Sequence, residues 1–330
     1  MNMPASMRQL ADGRFVSVLN RRPAVVGAYE FDFMRNPEAF AAFGRANPGS
    51  AVLLQLGYEH ESPELADPLA EALARFRAEA PGARAVVLCN STGECEALEK
   101  RGAETRWIQQ NCFLDERRYR PLGGRERPYD AAYVSRLTPC KRHELMPPEL
   151  APKLLLLGCT TKVYDSERDY ADMVFSRYAG ARIVGVFRGA ELSVWLSLAK
   201  CGLILSAREG ASFCSSEYLL CGLPVVDTPA LGGRDALYPG EFVQSVESTP
   251  EAVAAGIARW AAQRPDPRKV RAAWLDKAAP HRGRFRALMK ELTGRACGRP
   301  PHKLGLRTPR PGLAATLAIQ AYLLARELKR

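Results

Sequence analysis

The stretch LILSAREGASFCSSEYLLCGLPVVDT, residues 203–228, decides the fold. LILSA reads as a buried strand ending at Ala207, Arg208 to Ser212 as a loop, and Phe213 to Cys221 as a helix stopped by Gly222 and Pro224, after which PVV starts the next strand. Such a strand, helix and strand form one βαβ step, and repeated steps build a parallel sheet covered by helices. In open sheets of this kind ligands sit beyond the carboxyl ends of the strands. Glu209 therefore stands in a ligand-facing loop, and Glu217 lies a turn or so inside the following helix. A carboxylate accepts hydrogen bonds from two vicinal hydroxyls, so two carboxylates so placed suit two polyol rings. The helix start between them, with Gly210, Ala211 and Ser212, offers free N–H groups to phosphates that join those rings. Taken alone, the same glutamates read more readily as a helix cap and a solvated helix residue, and it is the surrounding segments that favour the ligand reading.

The rhythm continues outward in both directions. Before the quoted stretch come a strand at 130–134, a strand at 154–157, a helix at 166–178, a strand at 183–187 and a helix at 191–200. Helices at 251–263 and 269–275 follow it. Earlier, AVLLQL at 51–56 and AVVLC at 85–89 read as buried strands. The helix between them opens at Ser62 and Pro63 and carries Leu65, Leu69, Leu73 and Phe76 on one face. A helix at 93–100 and a strand at 105–109 complete this first set. RRYRPLGGRERP at 117–128 separates the two sets and is read as the linker. The domains expected are 1–123, 124–295 and a terminal segment 296–330, extended and basic and then helical, crossing back to the first domain.

The chain has 330 residues, 47 % apolar and 25 % charged, which fits two globular domains and a cleft between them. Its net charge of +11 is local, because 12 basic and 2 acidic residues fall after residue 280. A basic end of this kind suits an anionic membrane surface or another polyanion, and equally a solvated terminus. The nine cysteines form no CxxC pair, and no His, Cys and carboxylate cluster has metal spacing, so a zinc site is not expected. The opening residues lack the apolar core of a signal peptide, and no apolar run reaches bilayer length. The expectation is a cytoplasmic protein, at most peripheral to the inner membrane face.

Two further segments face the same cleft. YVSRLTPCKRHEL at 133–145 puts Arg136 at the end of a strand and Lys141 just past a Pro139 turn, where two cations neutralise a diphosphate. ALGGRD at 230–235 supplies Gly232 and Gly233 for close backbone approach to an anion, and Arg234 for charge. With these in view, the second half resembles the donor domain of the retaining GT-B glycosyltransferases of family four. That family carries an Arg-Leu strand end, a Pro and a Lys, and later Glu, seven residues, Glu, then Gly-Leu-Pro-Val-Val and a Gly-Gly turn. Arg136, Leu137, Pro139, Lys141, Glu209, Glu217, Gly222 to Val226, Gly232 and Gly233 follow that order over about residues 130–240.

The resemblance implies an α/β protein of GT-B type, with two Rossmann-like doubly wound domains facing a cleft. It implies a UDP- or GDP-sugar donor, a glycan, lipid-linked or small-molecule acceptor, retention of configuration and no metal. Arg136 and Lys141 match the residues that hold the donor diphosphate, Glu209 the one that contacts the transferred sugar, and Glu217 the one that holds the ribose. Two departures stand out: Gly158-Cys159-Thr160 replaces a Gly-x-Gly loop, and Gly210-Ala211-Ser212-Phe213 replaces Gly-Phe-Gly. His60, in GYEHES at 57–62, is a candidate for the acceptor or donor side, and His143 for phosphate support beside Lys141. A noncatalytic nucleotide-sugar or polyanion-binding protein and an epimerase of the same fold are the alternative readings.

Overall fold

The computed structural model describes residues 1–12, 15–123, 126–158, 165–185 and 189–295. They form two parallel-sheet α/β domains. The first sheet has the order β1 (Val16–Arg21), β2 (Ala24–Tyr29), β3 (Ala51–Gln55), β4 (Arg84–Cys89) and β5 (Glu104–Trp107), parallel except for the β1–β2 hairpin. That hairpin, the helix α1 (Ala5–Asp12) before it and α2 (Glu30–Arg35) and α3 (Pro37–Ala46) after it precede every element expected from the sequence. From β2 to β5 each strand joins its next neighbour in the same direction, so right-handed crossovers put α3, α4 (Pro63–Glu79) and α5 (Thr92–Glu99) on one face.

Side-chain alternation confirms the two faces. Val26, Val52, Leu54 and Val87 pack under these helices with Phe33, Phe40, Phe43, Leu73 and Phe76. Their neighbours Val25, Leu53, Val86 and Leu88 point the other way, into a core shared with the second domain. What closes that face is a long helix from the end of the described chain.

The second sheet has β6 (Tyr129–Val134) and β7 (Leu154–Leu157), then, after α6 (Asp165–Arg177), β8 (Arg182–Val184). The chain next runs through α7 (Ala190–Leu196), returns to the centre as β9 (Ala199–Ile204), and moves outward through α8 (Phe213–Leu220) to β10 (Val225–Asp227) and β11 (Val243–Ser245). The resulting order, β11-β10-β9-β6-β7-β8, is doubly wound, and the winding reverses between β6 and β9. Double winding is thus made by the second sheet's own crossovers, while the first sheet receives its second cover from elsewhere. Strand β9 begins earlier than the expected Leu203, because Tyr129 pairs with Ala199 and Ala131 with Cys201. Pairing along a central strand outweighs the helix-like composition of LAKC.

After α9 (Pro250–Gln263), α10 (Pro267–Thr293) runs far past the expected 269–275. It is the element that crosses back to the first domain. Phe285 meets Phe113 edge-on at 4.9 Å, Glu291 pairs with Arg84 at 2.7 Å, and the His281 ring accepts from the Gln109 N–H at 3.1 Å. Part of the basic end is therefore structural: Arg282 pairs with Glu116, and Arg284 lies over Trp107 at 4.4 Å. The expected terminal segment, residues 296–330, lies outside the described residues. Among the described residues, no helix is long and apolar enough to cross a membrane.

Candidate functional site

The carboxyl ends of β6 and β9 flank the point where the sheet reverses, which is where an open sheet leaves room for a ligand. Beyond β6 the chain makes two 3-10 turns, Pro139–Lys141 and His143–Leu145, joined by Arg142 in the left-handed region with φ 49°. Two contacts fix this corner. Tyr133 donates its hydroxyl to the Lys141 carbonyl at 2.5 Å, and Arg142 reaches across to the Leu205 carbonyl at 2.5 Å and the Thr228 hydroxyl at 2.7 Å. The Lys141 backbone is held, and its ammonium forms an ion pair with Glu209 from the loop after β9. Ser206 donates to the same carboxylate oxygen at 2.6 Å. The side chains of Lys141 and Glu209 are 19 % and 16 % exposed, so the pair is sheltered yet reachable. Arg136 is exposed, two residues past the end of β6.

Glu217 sits one turn into α8 and binds the Tyr119 hydroxyl, whose pKa is pushed up by burial and then by that carboxylate. It thus has a different partner from Glu209. Cys214 lies between them: burial raises its thiol pKa, and Glu217 and Glu209 raise it further while Lys141 opposes them. The two glutamates flank one helical turn. Ser212 begins α8 without a side-chain cap on its N–H groups, and its carbonyl is taken by Asn111 of the first domain at 2.7 Å.

The glycine loop packs closely against its surroundings. A Cβ on Gly232, whose φ is 101°, would stand 2.0 Å from the Glu209 carbonyl oxygen, and one on Gly233 would stand 2.3 Å from the Asn90 backbone. A Cβ on Gly210 would meet the Tyr58 backbone at 2.8 Å. These glycines let two loops of the second domain close onto the first. Arg234 is not a free cation: its side chain is fully buried, paired with Asp227 and Asp235 at 2.8 Å each and bonded to the Thr228 and Ser206 carbonyls. It anchors the loops from beneath and is closed to a ligand in this arrangement.

Both candidate histidines, His60 and His143, are also turned inward. His60 is buried, bonded through its ring to the Tyr58 carbonyl at 3.0 Å, and burial lowers its pKa. His143 is buried with its ring between Ser135 at 2.8 Å and Tyr170 at 3.2 Å. Burial first, and Lys141 second, lower its pKa to about 4, so it is a neutral brace for the corner and not a phosphate cation. Gly158 is described, with φ 77°, whereas Cys159 and Thr160 lie outside the described residues.

Sequence reasoning missed Arg142, Ser206 and Glu59. The last belongs to the first domain, is buried, and forms an ion pair with Arg208 beside the Glu209 loop. Glu59 stands 149 positions from Arg208, and no local pattern announces that pairing. Tyr58 beside it is 61 % exposed and meets Phe31 edge-on at 6.5 Å, leaving an aromatic face at the mouth of the cleft.

No protein-family profile matches the sequence, and no curated protein matches it. Solved structures do match by shape. Anabaena Alr3699/HepE, solved with UDP and glucose, is 17 % identical, with 86 % of this chain and 78 % of that one covered at a TM-score of 0.56. Sucrose-phosphate synthase from Thermosynechococcus elongatus is 20 % identical, with 77 % and 75 % covered at 0.55. The pneumococcal O-GlcNAc transferase GtfA, solved with UDP and GlcNAc, is 15 % identical, with 76 % and 58 % covered at 0.52. With its reversal point between β6 and β9 and its long helix returning to the first sheet, the chain has the GT-B fold of these glycosyltransferases.

Proposed function

We propose that the chain is a glycosyltransferase that moves a sugar from a nucleoside diphosphate to an acceptor at the interdomain cleft, with retention of configuration. The observation that carries this reading is the meeting of Lys141 and Glu209 at the point where the second sheet reverses. Each is held by the fold, and each has the chemistry of one half of a sugar diphosphate. On donor binding, sugar hydroxyls replace the ammonium at Glu209, and diphosphate oxygens replace the carboxylate at Lys141. Arg136, exposed beside them, adds a second cation, and the uncapped start of α8 adds N–H donors. Negative charge that builds on the leaving diphosphate then meets fixed positive charge, which lowers the barrier to its departure. Glu217 is assigned to the ribose. The acceptor approaches from the first domain, past Tyr58. Solved structures of similar fold contain UDP or UDP-glucose, which supports a nucleotide-sugar donor.

The test is release of free nucleotide from a panel of UDP- and GDP-sugars, with and without acceptors. Glu209→Ala is expected to lower turnover by about 100-fold or more, the usual loss when a group placed for the transition state is removed. Unchanged turnover in that variant, with its fold intact, refutes the assignment. Nucleotide binding without release would identify a binding protein, and an epimerised nucleotide sugar formed without acceptor would identify an epimerase.

A further inference from the structure

The amino end of the second sheet carries a concavity that the proposed reaction does not use. A cavity of about 610 Å³ lies between residues 121–123 and 126–128 of the interdomain segment, the turn at 264–268 and the starts of β7 and β9. Arg127, Lys153, Lys200, Arg264 and Arg268 line it. Lys200 is neutralised by Asp130 at 2.5 Å. The other four make no ion pair among the described residues. Two carboxylates belong to the wall, Glu126 and Asp266. Asp266 is already engaged at 2.9 Å as the cap of α10, through the Arg268 N–H. Positive charge is left in excess.

Cations without counter-charges repel one another and disperse unless the fold holds them. Here it does so at a cost. Arg264 ends α9 with φ 42°, a position where glycine is the unstrained choice. Its Nε is tied to the Ala261 carbonyl at 3.1 Å. Arg127 is half-buried, and burial disfavours its charged form. Pro121, Pro128, Pro265 and Pro267 stiffen the wall around them. A rigid concave surface with clustered, uncompensated cations is a receptor for anions. Its volume admits a group larger than a single phosphate.

We propose that this basal cavity is a site for clustered phosphoryl groups, supplied either by the headgroups of an anionic bilayer or by a free diphosphate. It is separate from the donor site, because the six residues of β6 put the two ends of the sheet about 20 Å apart. An anion bound here leaves the cleft open. If the source is a bilayer, the protein sits on it with the base of its second domain.

The experiment uses the full chain in the Lys141→Ala background, so that the donor site contributes little to anion binding. Binding to phosphatidylglycerol vesicles, to phosphatidylcholine vesicles and to inorganic pyrophosphate is compared for this parent and for a variant that adds Lys153→Glu and Arg268→Glu. The basic residues beyond 295 are identical in both proteins, so their contribution cancels. A lipid source predicts that the variant loses about 30-fold in affinity for the phosphatidylglycerol vesicles alone, the effect of two cations at an anionic surface. A free-phosphate source predicts the loss with pyrophosphate and none with vesicles. A third protein, Arg264→Gly, relieves the strained backbone and is expected to melt at a higher temperature while binding more weakly, which separates lost binding from lost folding. Equal binding of the three proteins to every probe overturns the site.

Discussion

Two acid–base pairs stand at the carboxyl end of the second sheet and serve opposite ends. Lys141 and Glu209 remain partly exposed, so each holds the other within reach of solvent. Arg234 and Asp227 are fully sealed, and Arg234 also holds two backbone carbonyls. Both cations lie in segments that the sequence offers as phosphate ligands. Solvent access, which residue type does not encode, is what distinguishes a ligand-binding cation from an anchor. A sealed pair costs most when one half is removed, because the other half is left charged and dry.

The comparison breaks first on stability. Arg234→Ala is expected to lower the unfolding free energy by about 3–5 kcal/mol, since it strands Asp227 in the interior. Urea unfolding measures this. Replacing both partners with apolar residues of similar size, Arg234→Met with Asp227→Leu, is expected to recover much of the loss. If Arg234→Ala unfolds at the wild-type urea concentration, the residue is no anchor, and its assignment as a phosphate ligand returns.

Lys141→Ala is the opposite case. Its side chain keeps access to solvent, so the urea midpoint is expected to move little, while kcat/KM for nucleotide release drops by about 100-fold. Steady-state kinetics on the donor identified by the panel provides the measurement. A stability loss as large as that of Arg234→Ala, with catalysis per folded molecule preserved, would erase the distinction between the two pairs.

How far the sequence discloses all this depends on what each region buries. Strands covered on both faces show as short apolar runs, and LLLL at 154–157 is found as β7 without a change of bounds. The β1–β2 hairpin escapes because its turn, RRP at 21–23, lacks the Asn-Gly or Gly-rich signal of a tight hairpin. The return of α10 to the first sheet escapes for another reason: Phe285, Leu288 and Met289 announce an apolar stripe but not which sheet it covers. At the site, the spacing of Glu209 and Glu217 is legible because one loop and one helical turn separate them, whereas Lys141 stands 68 positions from Glu209 and is picked out by its own strand end and Pro139 turn. The burial of Arg234 and His143 is not, since it depends on strands and helices distant in the chain.

A third pair lies between the first two in character and sharpens the contrast. Glu59 is almost sealed, with a side chain 4 % exposed, whereas its partner Arg208 is 57 % exposed, and the two join the domains beside the Glu209 loop. Burial raises the Glu59 pKa, but the Arg208 guanidinium and the hydrogen bonds from Glu61 and Ser62 outweigh it and leave the carboxyl below its ordinary value of 4.5. A carboxyl whose pKa is lower folded than unfolded adds stability above the unfolded value, and that stability is lost as the pH falls through the folded value. Wild-type protein is therefore expected to lose this increment on acidification below about pH 4.5. Arg208→Ala removes the guanidinium but leaves three hydrogen bonds to Glu59, from the Glu61 and Ser62 amides and the Ser62 hydroxyl. The loss at neutral pH is then small, that of a pair whose arginine is largely solvated, and the acid-side slope becomes shallower. Urea midpoints taken from pH 3 to pH 7 read both effects, and a slope unchanged by the substitution would mean that the local hydrogen bonds, not the arginine of the other domain, set the charge of Glu59.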